Sequence, residues 1–130
     1  MSTQLHTSTN FIIYGEPASK ANSRKIVKFG KRMALIKSEK ARNYEKIFAE
    51  QCPTLENLIE KDVKVELIVY YASRRPDLDE SVILDCMQGK IYVNDRQVKQ
   101  KIVYWGLDRD TPRTHVRVQI METCDLPSDF

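Results

Sequence analysis

Long apolar runs are missing: no stretch of the 130-residue chain approaches the roughly 20 consecutive apolar residues that a membrane-spanning helix needs. The opening "MSTQLHTSTN" (1–10) has neither the basic start nor the apolar run of a secretory signal peptide, so an intracellular, cytoplasmic protein is expected. Cysteine is sparse and badly spaced for a bridge or a metal. Cys52, Cys86 and Cys124 are odd in number and far apart, no Cys-x-x-Cys pair occurs, and no spaced histidines complement them. That argues against a structural zinc site and leaves free thiols in a reducing compartment. Glycine and proline are too few for a low-complexity chain, and no repeat or linker divides the sequence. One domain over 1–130 is expected, with 1–9 and 123–130 as flexible ends.

What the chain does have is unevenly placed charge. The net charge is only +3, yet ten basic residues lie between Lys20 and Lys46, opposed there by Glu39 and Glu45 alone. The end leans acidic, with Glu122, Asp125 and Asp129. A basic segment in a nearly balanced protein is the footprint of a polyanion binder; the plainer alternative is that these lysines solvate an exposed hairpin and helix.

Periodicity places the elements. "FIIYGE" (11–16) reads as a first strand, ended by Pro17, and "PASKANSR" (17–24) as a loop. "KIVKFGKRMALI" (25–36) reads as two short strands around Gly30, a small hairpin or flap. Ser38 is placed to cap a helix running to about Gln51, with Ala41, Tyr44 and Phe48 as its apolar stripe and Pro53 beyond it. Residues 63–72 alternate Val63, Val65, Leu67, Val69 and Tyr71 on one face, a strand signal. A short helix fits 79–88 with Gly89 as its C′ residue, followed by strands over 97–105 and 114–122. Strands bracketing two main helices predict one α/β (α+β) domain with a mixed β-sheet.

The stretch "SRRPDLDESVILDCMQGKIYVNDRQV" (73–98) carries the chemistry. Its acids have structural readings: Asp77 and Glu80 at capping-box spacing, Asp79 in a helix first turn, Asp85 solvated on the helix, Asp95 in a turn. Taken together they read differently. On an extended backbone Asp77 and Asp79 project to the same side, and a return strand starting near Asp95 would bring a third carboxylate beside them. Carboxylates without His or Cys form a hard-oxygen site that suits Mg2+ or Mn2+. Set among cations such as Arg74 and Arg75, whose guanidinium forks match phosphate, that is an arrangement for cutting a phosphodiester.

The same residues resemble a known family, the RusA-type Holliday junction resolvases, small endonucleases common in phages and prophages. The resemblance rests on Asp77-Leu78-Asp79, Asp85-Cys86-Met87-Gln88-Gly89 and Asn94-Asp95-Arg96-Gln97, with "PASKANSR" and "SEKARNYEKIF" in the first half, and covers nearly the whole chain. It implies a magnesium-dependent homodimer that binds branched DNA and nicks opposed strands of a four-way junction. It carries the catalytic, metal-holding aspartates over to Asp77, Asp79 and Asp95, with Asp85 in support. Lys20, Asn22, Arg24, Lys25, Lys28, Arg74 and Arg75 are the expected DNA contacts, and the strand around "IVYW" (102–105), with Tyr104 and Trp105 exposed, the expected dimer contact. Two departures stand out. Glu80 replaces the family's Asn, and no lysine occurs from Glu80 to Gly89 where members carry one implicated in catalysis. The implied consequence is that another cation, Lys20, Arg75 or Lys90, takes its place, or that turnover is slow. A silent junction-binding protein of the same fold is the alternative; a third reading makes the acids caps and turns and the partner another protein.

Overall fold

Two sheets and two helices make up the computed structural model, which describes residues 8–121 and 126–130. The larger sheet has four strands in the order β1 (Ser8–Tyr14), β6 (Arg113–Ile120), β4 (Val63–Tyr71), β5 (Val98–Leu107). The β4–β5 pair is parallel and the other pairings are antiparallel, so the sheet is mixed. β4 lies inside the sheet, and its alternation is that of a strand with one face in the core: Val63, Val65, Leu67, Val69 and Tyr71 are all buried. Both helices cover that face. α1 (Glu39–Gln51) buries Ala41, Tyr44 and Phe48, and its start is capped by Ser38, whose Oγ accepts the Ala41 backbone N–H at 3.1 Å. α2 (Ser81–Cys86) buries Val82 and Ile83.

Parallel pairing of β4 and β5 forces a crossover, and residues 72–97 supply it. That crossover holds all four aspartates of interest. The helix within it is shorter than the expected 79–88. It runs from Ser81 to Cys86, with Glu80 as an N-cap residue that makes no side-chain bond, and the Asp79 carboxylate accepts the Ser81 backbone N–H in a turn just ahead of it. Gly89, at φ +81°, is therefore not a helix C′ residue; it opens the tight turn in which its own N–H donates to the Tyr92 carbonyl. The expected pairing of Asp77 with Glu80 as a capping box does not occur. A true box sits downstream, where Asn94 and Gln97 bond each other's backbone around a 3-10 turn, Asp95–Gln97.

The smaller sheet is a hairpin of β2 (Arg24–Phe29) and β3 (Arg32–Lys37). Gly30 has φ +59° and Lys31 has a negative φ, the sign pattern of a type II′ turn, which fits the right-handed twist of the two strands. β1 begins earlier and ends earlier than expected, at Ser8 and Tyr14; β5 and β6 shift by a residue or two. Trp105 is a correction. It is not an exposed aromatic: its ring stacks on Tyr71 at 6.1 Å, and only its neighbour Tyr104 faces solvent. Adjacent strand residues point to opposite faces, so only one of the two could be exposed. The other face of the sheet forms a cavity of about 600 Å³ lined by Ile12, Ile68, Tyr104 and His115 among others, away from the four aspartates. Among the described residues no helix is long and apolar enough to cross a membrane. Of the acidic C-terminal residues, Glu122 and Asp125 lie outside the described residues, as does Cys124.

Candidate active site

Backbone hydrogen bonds fix the loop that carries Asp77 and Asp79. The buried Tyr71 hydroxyl, at the end of β4, donates to the Asp77 carbonyl (3.3 Å) and accepts from the Asp79 backbone N–H (3.4 Å). The Trp105 Nε1–H, from β5, donates to the Pro76 carbonyl (3.0 Å), and the Lys20 backbone N–H also donates to the Asp77 carbonyl (3.3 Å). With its carbonyl held inward, Asp77 is left exposed, flanked by exposed Arg74 and Arg75. Asp79 is half-buried, and its Oδ1 accepts from the Ser81 N–H (3.0 Å) and hydroxyl (2.8 Å). Burial pushes the Tyr71 phenol up to about 12, and the charges of Asp79, Glu16 and Asp77 add to the rise against the Asp79 N–H. Tyr71 therefore stays a neutral O–H donor at ordinary pH.

Glu16 is a residue the sequence reading missed. It follows β1, yet it faces the same phenol as Asp77 and Asp79. Its Oε2 accepts the Ala72 N–H at 2.7 Å and its Oε1 pairs with Lys40 at 2.9 Å. Burial pushes this carboxyl up, but the Ala72 N–H and Lys40 outweigh it and hold it below the ordinary range. A glutamate before Pro17 gives no local signal of that role.

Asp85 and Asp95 form a second group at the other end of α2. Asp85 is raised above the ordinary carboxylate range, by burial first and then by the neighbouring Asp95 carboxyl. Asp95 is held by its backbone N–H, which donates to the Gln88 Oε1 at 2.8 Å. Gln97, through its amide on the Ile59 and Lys61 carbonyls (both 2.8 Å), anchors the whole turn. Beneath the pair lies buried Tyr92, whose hydroxyl donates to the Leu84 carbonyl at 2.6 Å.

The structure thus keeps Asp77 and Asp79 on one braced loop and sets Asp95 beside Asp85 rather than beside them. Asp79 lies ahead of the start of α2 and Asp85 near its end. Among the described residues no three acidic, histidine or cysteine side chains stand close enough to hold a metal ion. In kind, the donors suit a hard divalent cation: two half-buried carboxyls forced together, with all remaining candidates also carboxylate oxygens. Among the described residues cysteine chemistry does not compete. Burial pushes the Cys52 thiol to about 11 and the Cys86 thiol to about 12, so both are protonated and poor nucleophiles near neutral pH.

Between the two groups stands Lys101, also missed. It reaches from β5 to form an ion pair with Glu80, and shares a cleft of about 270 Å³ with Asp95, Leu84 and Lys99. Of the cations expected at the site, Lys20 and Arg75 are exposed on the loops around Asp77, while Lys90 is turned to the Thr54 hydroxyl at 3.4 Å. Lys20 and Asn22 bound a 3-10 turn against the Asp77 loop, and Arg24, Lys25 and Lys28 are exposed on β2.

A clamped acidic loop, a second acid pair and a basic hairpin now stand within one small mixed-sheet domain. The family model for endodeoxyribonuclease RusA matches residues 15–119, which takes in both acid pairs, the hairpin, α1 and most of the sheet. The chain belongs to the RusA endodeoxyribonuclease family.

Proposed function

We propose that this protein is a metal-dependent, structure-selective DNA endonuclease that resolves four-way (Holliday) junctions by paired nicks in recombination, repair or phage DNA processing in the cytoplasm. The observation that carries this reading is the Asp77–Asp79 loop. Its backbone is tied down by Tyr71, Trp105 and Lys20, while its acids border exposed arginines and a basic hairpin. A merely structural cap has no need of such bracing.

In this reading Asp77 and Asp79 from one acid group and Asp95 from the other are the catalytic carboxylates, with Asp85 in support, and would hold Mg2+ or Mn2+ once the two groups are drawn together. When bound, such an ion supplies an acidified water and charge neutralisation at the phosphate. The chain's own residues do the rest. Arg74 and Arg75 orient phosphate oxygens, and Lys20, Asn22, Arg24, Lys25 and Lys28 follow the backbone of the arms. Lys101 is the cation that stands in for the family's helix lysine, since it shares a cleft with Asp95 and pairs with Glu80, next to Asp79. Its pairing with Glu80 is also what favours the second reading, a catalytically weak or silent junction-binding protein, because an engaged lysine is less available to the leaving oxygen.

Two symmetric cuts require two sites, so the working form is a two-fold homodimer. The unpaired edge of β5 around Tyr104 is its proposed contact; light scattering at micromolar concentration should give twice the chain mass, and a strict monomer on junction DNA excludes paired cutting.

The deciding assay uses a labelled synthetic four-way junction and a matched linear duplex, with magnesium or with chelator. Asp79→Asn keeps the Oδ1 that accepts from Ser81, so the fold is preserved while a charged ligand is lost. Nicking should disappear and junction binding remain. Normal nicking by this variant removes Asp79 from the site, and no magnesium-dependent nicking by the wild type leaves the silent-binder reading.

A further inference from the structure

The hairpin β2–β3 carries a second chemistry besides charge. Its register pairs Ile26 with Leu35 and Lys28 with Met33, which puts Ile26, Leu35 and Met33 on one face. These three are 66%, 66% and 68% exposed, and Phe29 at the tip is 61% exposed. Single surface apolar residues are ordinary, but a contiguous group on one protruding ribbon marks a binding surface. A two-stranded ribbon is also marginal on its own and gains from being covered.

The charges around the group say what covers it. Arg24 and Lys28 share its face, Lys25 and Arg32 lie on the other face and Lys31 in the turn, and no acidic residue lies between Glu16 and Glu39. Among the described residues, Lys37 is the hairpin's one cation in an ion pair. A second copy of the same ribbon would bring like charges together, whereas a nucleic acid satisfies every one of them. Phosphates alone do not account for the apolar face. Base faces do, and they are available where stacking is interrupted, as at the centre of branched DNA. A two-stranded ribbon also has the width that the major groove admits.

We propose that this hairpin is a wedge. Its cations ride on the phosphates of neighbouring arms while Ile26, Met33 and Leu35 pack against base faces at the branch point and open the stack there, as apolar side chains do in DNA-bending proteins. The inference rests on the junction-endonuclease reading and adds to it the element that selects branched over linear DNA.

The test replaces Ile26, Met33 and Leu35 together by Thr, which keeps strand propensity at three exposed positions and should leave circular dichroism and melting unchanged. Binding is measured in chelator to a four-way junction carrying 2-aminopurine at the branch point, and to a linear duplex. Wild type should raise the 2-aminopurine fluorescence. The variant should not, and should lose about tenfold or more of its preference for junction over duplex, the scale of one lost base contact, while keeping duplex affinity. An unchanged preference and fluorescence rise overturns the wedge. So does a dimer-to-monomer change on light scattering without DNA, which would assign the apolar face to a second copy. A wild type that cuts junctions with no fluorescence rise sinks the wedge alone; one that neither binds nor cuts them sinks the reading beneath it.

Discussion

Removing one oxygen tests whether the Asp77–Asp79 loop works because it is held. In Tyr71→Phe the ring still stacks on Trp105, but the hydroxyl that bridges the Asp77 carbonyl and the Asp79 N–H is gone. The Asp77 carbonyl retains the Lys20 N–H; the Asp79 N–H loses its acceptor. Both lost bonds are long, so each is worth about 1 kcal/mol or less, with a desolvation cost of about 1–3 kcal/mol where a donor is stranded. The total is about 1–3 kcal/mol, which for a domain of this size lowers the melting temperature by roughly 4–10 °C. The effect on chemistry should exceed the effect on binding, because a carboxylate misplaced by about 1 Å costs on the order of 100-fold in rate. Single-turnover nicking of a four-way junction at saturating enzyme should therefore fall about 10- to 100-fold, with junction affinity little changed. Trp105→Phe, which deletes the bond to the Pro76 carbonyl, should act on the same loop and combine non-additively with it. If Tyr71→Phe melts lower but cuts at the wild-type rate, the hydroxyl serves stability alone and the bracing argument fails.

Lys101→Met should lower single-turnover nicking by about 100-fold or more with junction affinity nearly intact, the scale of a lost proton-transfer group, and Glu80→Gln should raise nicking by freeing the lysine; wild-type rates in both would exclude Lys101. Charge reversal of Arg24 and Lys25 should weaken binding to linear and branched DNA alike and flatten the salt dependence by about 2 in log–log slope, from about 0.9 per phosphate contact; an unchanged slope makes them plain surface. At high pH the buried phenols matter: burial raises Tyr71 to about 12 and lifts Tyr44 and Tyr92 still higher. Because these folded-state values exceed the unfolded value of about 10, their contribution to stability is complete below about pH 10 and declines as pH rises towards 12 and beyond. Absorbance at the phenolate band should therefore rise together with unfolding for these three, and free titration of all the tyrosines in the folded protein would contradict their burial.

Which features were legible follows from where the information sits. α1 was readable because its cap, stripe and stop are all local: Ser38, then Ala41, Tyr44 and Phe48, then Pro53. β4 was readable because one strand carried the whole alternation. The start of α2 falls later than the spacing suggested because neither aspartate caps it: Glu80 is its N-cap residue and makes no side-chain bond, while the Asp79 carboxylate closes a turn on Ser81 just ahead. Trp105 was misjudged because hydrophobicity says nothing about which face a strand residue takes, although its adjacency to Tyr104 already required opposite faces. Glu16 and Lys101 could not be found by motif at all. Glu16 meets Ala72 from the segment after β1 and Lys101 meets Glu80 from β5, and only the arrangement of the strands sets those distances.

α2 explains why the cation has to come from elsewhere. With six residues it has little more than one turn to serve both core and site. Val82 and Ile83 follow Asp79 on that turn and are both buried, as is Met87 just beyond its end. A lysine at either helix position would have to bury an ammonium in the core, at a cost of several kcal/mol. The exposed face is already occupied, since Ser81 completes the Asp79 turn and Asp85 meets Asp95. A cation near these acids must therefore reach in from outside the helix. β5 runs parallel to β4, directly beside the crossover, and in the register that sets Lys101 against Val65 its ammonium meets Glu80, next to Asp79. The short helix and the strand-borne lysine are one arrangement: the core claims the helix positions, and the parallel crossover supplies the charge from the sheet.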